Sequence, residues 1–233
     1  MSSGFEQLYI DVRHKEGRIY SDEEVLHLPD ISGDHPHYAE WLLRKESCER
    51  LTLYFEKRLG LMKILEVGCG NGWLSHRLAS INGYDVTGTD VNLSELCQAE
   101  RVFSHIPYLQ FIPGGIHAER LEEKGYDFIV FAASIQYFSS LKETIRQAMG
   151  KLKTNGEIHV LDSFFYKPRE INVAKECTAK YYRDLGFSEM TEHYFHHSTD
   201  ELNSFRFKTR YRPSFIKRLS NNKNPFPWFC IKK

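Results

Sequence analysis

Short apolar runs and amphipathic segments alternate along the middle of the chain. From residue 62, "MKILEVG" is an apolar run that ends in glycine, and "GWLSHRLASI" then spaces its apolar side chains at helical intervals. Further apolar runs follow in "YDVTGTD", "YLQFIPG", "YDFIVFAAS" and "EIHVLDSFF". Continuous apolar strands are typical of parallel sheets covered on both faces, so the pattern predicts an α/β fold with a doubly wound, mostly parallel sheet.

Helix signals lie between these strands. Asn92 stands three residues before Glu95, and Ser140 three residues before Glu143, which is the spacing of helix N-caps. A further helix is predicted over about residues 168–185. The last segment, "PFPWFCIKK", is expected to close the sheet as part of an antiparallel hairpin.

A separate N-terminal piece precedes the first strand. Residues 35–59 are predicted to form a long helix, with Pro36 in its first turn and Gly60 just past its end. The polar segment before it, which contains "EGRIYSDEEVLHLPD", is expected to be irregular. We therefore divide the chain into an N-terminal arm and helix (residues 1–60) and a core (residues 61–233) within one structural domain.

Composition restricts the setting in which the protein works. The chain has 233 residues and a formal net charge of zero, which disfavours a protein built mainly around nucleic acid. Its five cysteines are odd in number and widely spaced, as expected of reduced thiols in a cytosol. The N-terminus lacks the apolar core of a signal peptide, and the longest apolar run, "FIVFAA", is too short to span a bilayer. A soluble, cytoplasmic protein without a membrane partner is expected.

Basic residues are concentrated near the C-terminus, where residues 203–233 contain nine Lys or Arg and no Asp or Glu. Alternate residues of an extended strand share a face. One face is then basic and the other aromatic: Arg206, Lys208, Arg210 and Arg212 against Phe205, Phe207 and Tyr211. The basic row can recruit an anionic acceptor or protect a strand edge from pairing, and both interpretations stay open. Aromatic residues on the opposite face do not make a base-stacking surface, so nucleic acid is not an expected partner.

A glycine-rich loop, "LEVGCGNGWLS", follows the first predicted strand. Gly68, Gly70 and Gly72 alternate there, whereas a dinucleotide site would have its third glycine at the position of Trp73. Glu66, two residues before the first glycine, is a poor neighbour for phosphate and a good one for an ammonium group.

A second acidic residue, Asp90, ends the second predicted strand. A carboxylate at that point can accept hydrogen bonds from both hydroxyls of a ribose. The ligand implied by both acids is a nucleoside with an amino-acid or cationic arm and no essential phosphate. That description fits S-adenosylmethionine.

Three segments, "LEVGCGNGWLS", "GTDVN" and "YDFIVFAASIQYF", together resemble class I S-adenosylmethionine-dependent methyltransferases of the small-molecule type. The resemblance covers about residues 62–165. It implies a seven-stranded, Rossmann-like methyltransferase fold, S-adenosylmethionine as cofactor, and an N-terminal helical lid formed by residues 1–60.

The resemblance also implies how the cofactor would bind. The methionine arm would pass the glycine loop with Glu66 near its amino group, Asp90 would hold the ribose, and Val91 would pack on adenine. The family usually has an acid after the third strand, where this chain has Gly115, so adenine would be read by backbone groups near Gly115 and Ile116. The cofactor-binding residues implied are Glu66, Gly68, Cys69, Gly70, Asp90, Val91, Gly115, Ile116 and Ala132.

The predicted N-terminal helix supplies one more cofactor candidate. Trp41, Arg44 and Cys48 lie on one helical face, and Arg44 can reach the cofactor carboxylate with Tyr20 closing over it. The alternative, in which Trp41 is core and Arg44 is surface, stays open.

Acceptor-side residues are less well defined. Gln136 and Tyr137 occupy the stretch in which many relatives of the family have histidine, and they either orient and wall the acceptor or serve as packing. Asp162 and Tyr166, beyond the fifth strand, are the next candidates to face the substrate. No catalytic base is assigned, because transfer from an activated sulfonium chiefly needs an in-line nucleophile and dry walls.

Histidines raise the question of a metal site, in "HPH" at 35–37 and at His193, His196 and His197. On a strand, His196 and His197 would point to opposite faces, and no carboxylate stands at ligand spacing. No metal is predicted.

The expected function is methyl transfer from S-adenosylmethionine to an oxygen or nitrogen of a small molecule. Gly115 in place of an acid, and the lack of histidine near Gln136, leave open a non-catalytic, cofactor-binding regulatory protein of the same fold. A nucleotide-dependent oxidoreductase is a further alternative, which Trp73 opposes. The sequence does not determine an oligomeric state.

Overall fold

Seven strands form one sheet in the order β3-β2-β1-β4-β5-β7-β6. The computed structural model describes residues 3–213 and 224–233. Its strands are β1 (Met62–Val67), β2 (Tyr84–Asp90), β3 (Leu109–Pro113), β4 (Tyr126–Ala132), β5 (Leu152–Leu161), β6 (Arg206–Tyr211) and β7 (Trp228–Lys232). All neighbours among β1 to β5 are parallel, and β7 is antiparallel to β5 and β6. The predicted doubly wound, seven-stranded, mostly parallel sheet is confirmed, and its order reverses between β1 and β4, where such sheets bind ligands.

Seven α-helices accompany the strands in the described part of the chain. They are α1 (Ser3–Lys15), α2 (Asp22–His27), α3 (Tyr38–Phe55), α4 (Trp73–Ala79), α5 (Leu93–Phe103), α6 (Leu141–Lys151) and α7 (Ile171–Leu185). Short 3-10 turns occupy Ile135–Tyr137, Pro168–Glu170, Ser188–His193 and Thr199–Ser204. None of the described helices has the length and apolar character needed to cross a bilayer.

The N-terminal arm is not irregular, contrary to the prediction. It contains α1 and α2, and α2 begins with a capping box in which Ser21 Oγ accepts from Glu24 N and Ser21 N donates to Glu24 Oε2. The sequence "YSDEE" carried this signal. Most residues of the arm are polar, yet the apolar Val25 and Leu28 are fully buried.

Two apolar layers cover the sheet, and a third cluster lies at its carboxyl edge. α3, α4 and α5 pack on one face around residues such as Phe55, while α6 packs on the other around residues such as Ile145. The third cluster joins α1 to α7 through Phe5, Val12 and Tyr182. Because of this cluster, α1 is held over the carboxyl ends of the strands.

Strand β6 departs from the predicted two-faced pattern at its end. Arg206, Lys208 and Arg210 are exposed as expected, but the pairing with β7 shifts register between Thr209 and Tyr211. The shift turns Tyr211 away from the Phe207 side and onto the α3 face, where the Arg50 guanidinium lies 4.0 Å from its ring centroid. Arg212, just after the strand, is also exposed, and three further basic residues of the tail, at positions 217, 218 and 223, lie outside the described residues.

Candidate active site

The loop between β1 and α4 crosses the carboxyl edge of the sheet in a conformation that glycine adopts most readily. Gly68, Gly70 and Gly72 have φ of +77°, +53° and +77°. Gly68 N donates to Thr89 O at 2.8 Å, which ties the loop to β2. A Cβ on Gly68 would lie 2.5 Å from Cβ of Ser134, so the loop packs against the segment that follows β4.

Asp90, the last residue of β2, holds this loop through its carboxylate. Its Oδ2 accepts from Gly70 N and its Oδ1 accepts from Asn92 N, each at 2.8 Å. Burial raises the pKa of Asp90, and the N–H donors of Asn92 and Gly70 oppose that shift. In the first turn of α5, burial and the Asp90 charge raise the pKa of Glu95 to about 7. Two neighbouring carboxyl groups therefore border the glycine loop, which favours a cationic ligand group there.

A cavity of about 610 Å³ lies beside Asp90. Asp90, Val91 and Gly115 form part of its sheet side, and α1 forms the opposite side. Ile116 is not among its lining residues, because its side chain is 2 % exposed and belongs to the core on the α6 face. Of Ile116, only the backbone could therefore contact adenine, as predicted.

A second cavity, of about 630 Å³, adjoins the first along the glycine loop. Glu66 lies in it, 2 % exposed, and accepts a hydrogen bond from Ser75 Oγ at 2.5 Å. Burial raises the pKa of Glu66 to about 8, and a cationic group in the cavity would favour its ionised form. Six residues predicted for the cofactor line this cavity: Arg44, Glu66, Gly68, Cys69, Gly70 and Ala132.

A third cavity, a cleft of about 1250 Å³, is lined by residues that follow β4 and β5. Gln136, Asp162 and Ser163 contribute polar groups to it. Its aromatic lining consists of Phe164, Tyr181, Tyr182, Tyr194 and Phe226. Ala133 borders all three cavities, so they meet at the residue after β4.

Gln136 and Tyr137, the predicted acceptor-side pair, are separated by the fold. Gln136 lines the cleft, where its Nε2 donates to Ala133 O at 2.7 Å and its Oε1 accepts from Ser163 Oγ at 2.9 Å. Tyr137 borders the first cavity instead, with its ring edge-on to Tyr9 at 5.6 Å between centroids. Of the pair, only Gln136 reaches the cleft.

Tyr166 lines none of the three cavities, so its prediction as a substrate-facing residue is not supported. Its backbone is engaged elsewhere: Tyr166 N donates to His197 O at 3.0 Å, and Thr199 N donates to Tyr166 O at 2.9 Å. This pairing draws residue 166 toward the segment after α7 and away from the cleft.

The Trp41–Arg44 face of α3 is shared between the core and two of the cavities. Trp41 is core, 5 % exposed, and its Nε1 donates to Tyr20 Oη at 2.8 Å. Arg44 lines the second cavity and the cleft, and its Nε and Nη2 donate to Glu40 Oε1 at 3.0 and 2.8 Å.

Sequence analysis missed the contribution of α1 and the turn after it. Phe5 and Tyr9 line the first cavity, and Arg13 lines the second cavity and the cleft. Their spacing of four residues is helical, and it was the signal that could have shown an amphipathic helix.

A row of alternating charges runs from α1 to α3 beside the second cavity and the cleft. Glu16 lies 3.1 Å from Arg13, and Glu40 lies 2.5 Å from Arg18 and 2.8 Å from Arg44. The row joins the N-terminal arm to α3 and leaves each of these carboxylates paired with arginine.

Two of the histidines that raised the metal question, His196 and His197, form hydrogen bonds with other parts of the protein. Residues 194–197 are not a strand, contrary to the geometry assumed for them. His196 Nε2 lies 2.8 Å from Thr178 Oγ1, and His197 Nε2 lies 3.0 Å from Ile135 O.

Within residues 3–213 and 224–233, one other group of possible metal ligands, Glu157, His159 and Cys230, is buried on the α3 face of the sheet. Trp228 Nε1 donates to His159 Nδ1 at 3.1 Å, which leaves the ring proton on Nε2, the nitrogen 3.5 Å from Glu157. Neither nitrogen then offers a free lone pair, so the donor set does not suit a metal ion.

Comparison with known proteins identifies the central part of the chain. A family model described as a methyltransferase domain matches residues 64–156. A malonyl-[acyl-carrier protein] O-methyltransferase of Halalkalibacterium halodurans is 37 % identical over 97 residues, which cover 40 % of this chain and 36 % of that protein. A ubiquinone biosynthesis O-methyltransferase of Rickettsia conorii is 27 % identical over 157 residues, or 62 % of this chain and 51 % of that one. The chain thus spans about a third to a half of the length of these curated relatives.

Solved structures share the fold at low identity. The YcgJ protein of Bacillus subtilis superposes with a TM-score of 0.62 at 12 % identity, covering 81 % of this chain and 99 % of that one. Geranyl diphosphate C-methyltransferase of Streptomyces coelicolor gives a TM-score of 0.59 at 13 % identity, covering 86 % and 85 %. The sheet order, the glycine loop and these matches agree: residues 64–156 match the methyltransferase domain family, and the chain shares the fold of solved S-adenosylmethionine-dependent methyltransferases.

Proposed function

We propose that the protein transfers a methyl group from S-adenosylmethionine to an oxygen or nitrogen of a small-molecule acceptor. The observation that carries this proposal is the meeting of three cavities at Ala133. A nucleoside fits the cavity beside Asp90, an amino-acid arm fits the one along the glycine loop, and an acceptor fits the cleft. Methyl transfer requires this arrangement, because donor and acceptor must approach each other in line in a site that excludes water.

The residues around the second cavity suit the cofactor's charged arm. Glu66 and Glu95 are acidic partners for its ammonium and sulfonium groups, and Arg44 is a partner for its carboxylate. Gly68 and Gly70 line this cavity, and the lack of a side chain at both positions lets the arm approach the loop backbone closely. When bound, the cofactor supplies an activated methyl group, and the chain supplies position and dry walls.

The N-terminal residues 1–60 act in this proposal as a lid on a single domain, because α1 covers the first two cavities. Gln136 faces the acceptor, Tyr137 walls the cofactor, and Val91 and the backbone at Gly115 and Ile116 contact adenine. A cytoplasmic location is also proposed, since all five cysteines are unpaired. An anionic acceptor is not favoured by the basic row of β6, since the Arg210 Nη2 is bonded to Tyr54 Oη at 2.8 Å.

Calorimetry tests the cofactor assignment. S-adenosylmethionine and its demethylated product, S-adenosylhomocysteine, are expected to bind, and NAD is not. Binding of NAD in preference to both would favour the oxidoreductase alternative. Binding of S-adenosylmethionine without methyl transfer to a broad panel of hydroxyl and amine acceptors would favour the non-catalytic alternative.

Asp90→Ala is expected to weaken the binding of S-adenosylhomocysteine by about 1.5–3 kcal/mol, because a charge-assisted hydrogen bond to the ribose is lost. The free energy of unfolding should also fall by about 1–2 kcal/mol, since the N–H groups of Gly70 and Asn92 lose their hydrogen-bond acceptor. Calorimetry and urea unfolding measure the two effects. Asp85→Ala, at the start of the same strand and far from the loop, is the matched control. Unchanged affinity in a folded Asp90→Ala protein would remove Asp90 from the site.

A further inference from the structure

We propose that Asp162 is the general base of the reaction and that the acceptor presents a neutral hydroxyl group to it. This inference rests on the proposed methyl transfer and narrows it from oxygen or nitrogen to oxygen.

Asp162 stands beside the point where the three cavities meet. It directly follows Leu161, whose carbonyl oxygen accepts from Ala133 N at 3.0 Å, and Ala133 borders every cavity. Its φ is +54°, a conformation that costs a non-glycine residue about 1–3 kcal/mol and that clusters at functional sites. The strained turn directs a side chain that is only 7 % exposed into the cleft.

The other carboxylates that line the cleft are committed to arginine. Glu16 pairs with Arg13, and Glu40 pairs with Arg18 and Arg44. Burial opposes ionisation of Glu40, but Arg44 and Arg18 lower its pKa to about 2, so it is a very weak base. Among the described residues of the cleft, Asp162 is the one carboxylate without a salt bridge.

A hydroxyl network fixes the orientation of Asp162. Ser47 Oγ donates to Asp162 Oδ1 at 2.5 Å, and Asn224 Nδ2 donates to the same Ser47 Oγ at 2.6 Å. Ser47 comes from α3 and Asn224 from the segment before β7, so two elements hold the carboxylate. The hydrogen bond from Ser47 engages Oδ1, so Oδ2 is the oxygen assigned to the acceptor.

The groups around Asp162 make it a stronger base than an exposed aspartate. Burial raises the pKa of Asp162 to about 6, and Arg44, Ser47, Arg50 and Asn224 limit the rise. On α3, burial raises the pKa of Cys48 to about 12, so this neighbouring thiol stays neutral. A base whose pKa lies near the working pH is ionised in a large fraction of the molecules and still binds a proton strongly enough to accept it from the substrate.

A hydroxyl acceptor suits this base better than an amine. An ammonium group beside Asp162 would form a salt bridge and keep the proton that blocks its lone pair. A hydroxyl group already has a free lone pair, and a hydrogen bond to the carboxylate increases its nucleophilicity. The cleft also has three arginines against three acids, Glu16, Glu40 and Asp162, which is a balance suited to a neutral acceptor.

The proposed step balances. The acceptor oxygen forms a bond to the methyl carbon as the carbon–sulfur bond of the cofactor breaks, and the electron pair of that bond stays on sulfur. The hydroxyl proton moves to Asp162 Oδ2, which later releases it to water. The products are a methyl ether and a neutral thioether.

Tyramine separates oxygen from nitrogen transfer, because one molecule carries both a phenolic hydroxyl and an ammonium group. With S-adenosylmethionine labelled in its methyl group, mass spectrometry distinguishes the O-methyl product from N-methyltyramine. We expect O-methylation, with a rate that rises with pH through a midpoint near 6 as Asp162 loses its proton. Asp162→Asn should lower the rate about 10²–10⁴-fold and remove that pH step.

The control is Asp184→Asn, the same change at an exposed position of α7 paired with Lys180, which should leave rate and pH profile unchanged. N-methylation, no O-methylation by protein that binds S-adenosylmethionine, or an unaltered rate in Asp162→Asn would each overturn the proposal. Failure to bind S-adenosylmethionine would instead contradict the proposed function.

A titration without turnover provides a second test that does not depend on a folded variant. The carboxyl carbon of Asp162, labelled with ¹³C in protein bound to S-adenosylhomocysteine, should titrate near pH 6. A midpoint near the ordinary value of 3.8 would overturn the proposal.

Discussion

Gly68→Ala is expected to destabilise the protein by about 2–5 kcal/mol and to abolish detectable binding of S-adenosylhomocysteine. Left-handed φ, here +77°, costs an alanine about 1–2 kcal/mol. The new Cβ would also lie 2.5 Å from Cβ of Ser134, and overpacking of this kind costs about 1–3 kcal/mol. Relief of the contact would have to move the loop or Ser134, both of which line the first cavity.

Urea unfolding and calorimetry measure the two effects, and Gly186→Ala is the matched control. Gly186 ends α7 with φ of +92°, and a Cβ there would meet nothing within 4 Å. In Gly186→Ala the free energy of unfolding should fall only by the backbone cost of about 1–2 kcal/mol, and S-adenosylhomocysteine should bind as it does to the wild-type protein. If the free energy of unfolding and the binding of S-adenosylhomocysteine fell equally in both variants, the contact with Ser134 would be unimportant.

Glu157→Gln is expected to destabilise the protein by about 2–4 kcal/mol. Glu157 is buried in the middle of β5, accepts a hydrogen bond from Tyr54 Oη at 2.7 Å, and lies 3.0 Å from both Arg58 and Lys232. Removal of one charge from a buried pair typically costs about 3–5 kcal/mol, and the lower figure here reflects partial exposure of both cations. Glu122→Gln breaks an exposed pair with Lys63 and should cost less than about 1 kcal/mol.

The effect of Glu157 should depend on pH in a defined direction. Burial alone would raise its pKa, but hydrogen bonds from His159, Tyr54 and Lys232 hold that pKa well below its usual range. A lowered pKa in the folded state stabilises the protein fully above the unfolded value of about 4.5, and the stabilisation is lost as pH falls toward the folded value. The difference between the wild-type protein and Glu157→Gln, measured by urea unfolding, should therefore shrink below that pH. A difference independent of pH would contradict the assignment.

Sequence alone predicted the sheet and the closeness of the glycine loop to Asp90, because both depend on local patterns. The continuous apolar runs of β1 to β5 and the caps at Asn92 and Ser140 specify elements within a few residues. The glycine loop and Asp90 each follow directly from a strand end, and parallel strands bring their carboxyl ends to one edge. Their proximity, confirmed by the hydrogen bond from Gly70 N to Asp90 Oδ2, therefore needed no knowledge of distant contacts.

The lining of the cleft was decided by contacts between segments far apart in the chain. Tyr166 and Asp162 stand four residues apart, yet pairing with the segment after α7 removes Tyr166, while Ser47 and Asn224 hold Asp162 in the cleft. A register shift that no local pattern specifies turns Tyr211 to the other face of the sheet. Local sequence thus determined the strands of the sheet and where the glycine loop lies. Only tertiary packing, which depends on partners more than a hundred residues away, determined which side chains share the cleft.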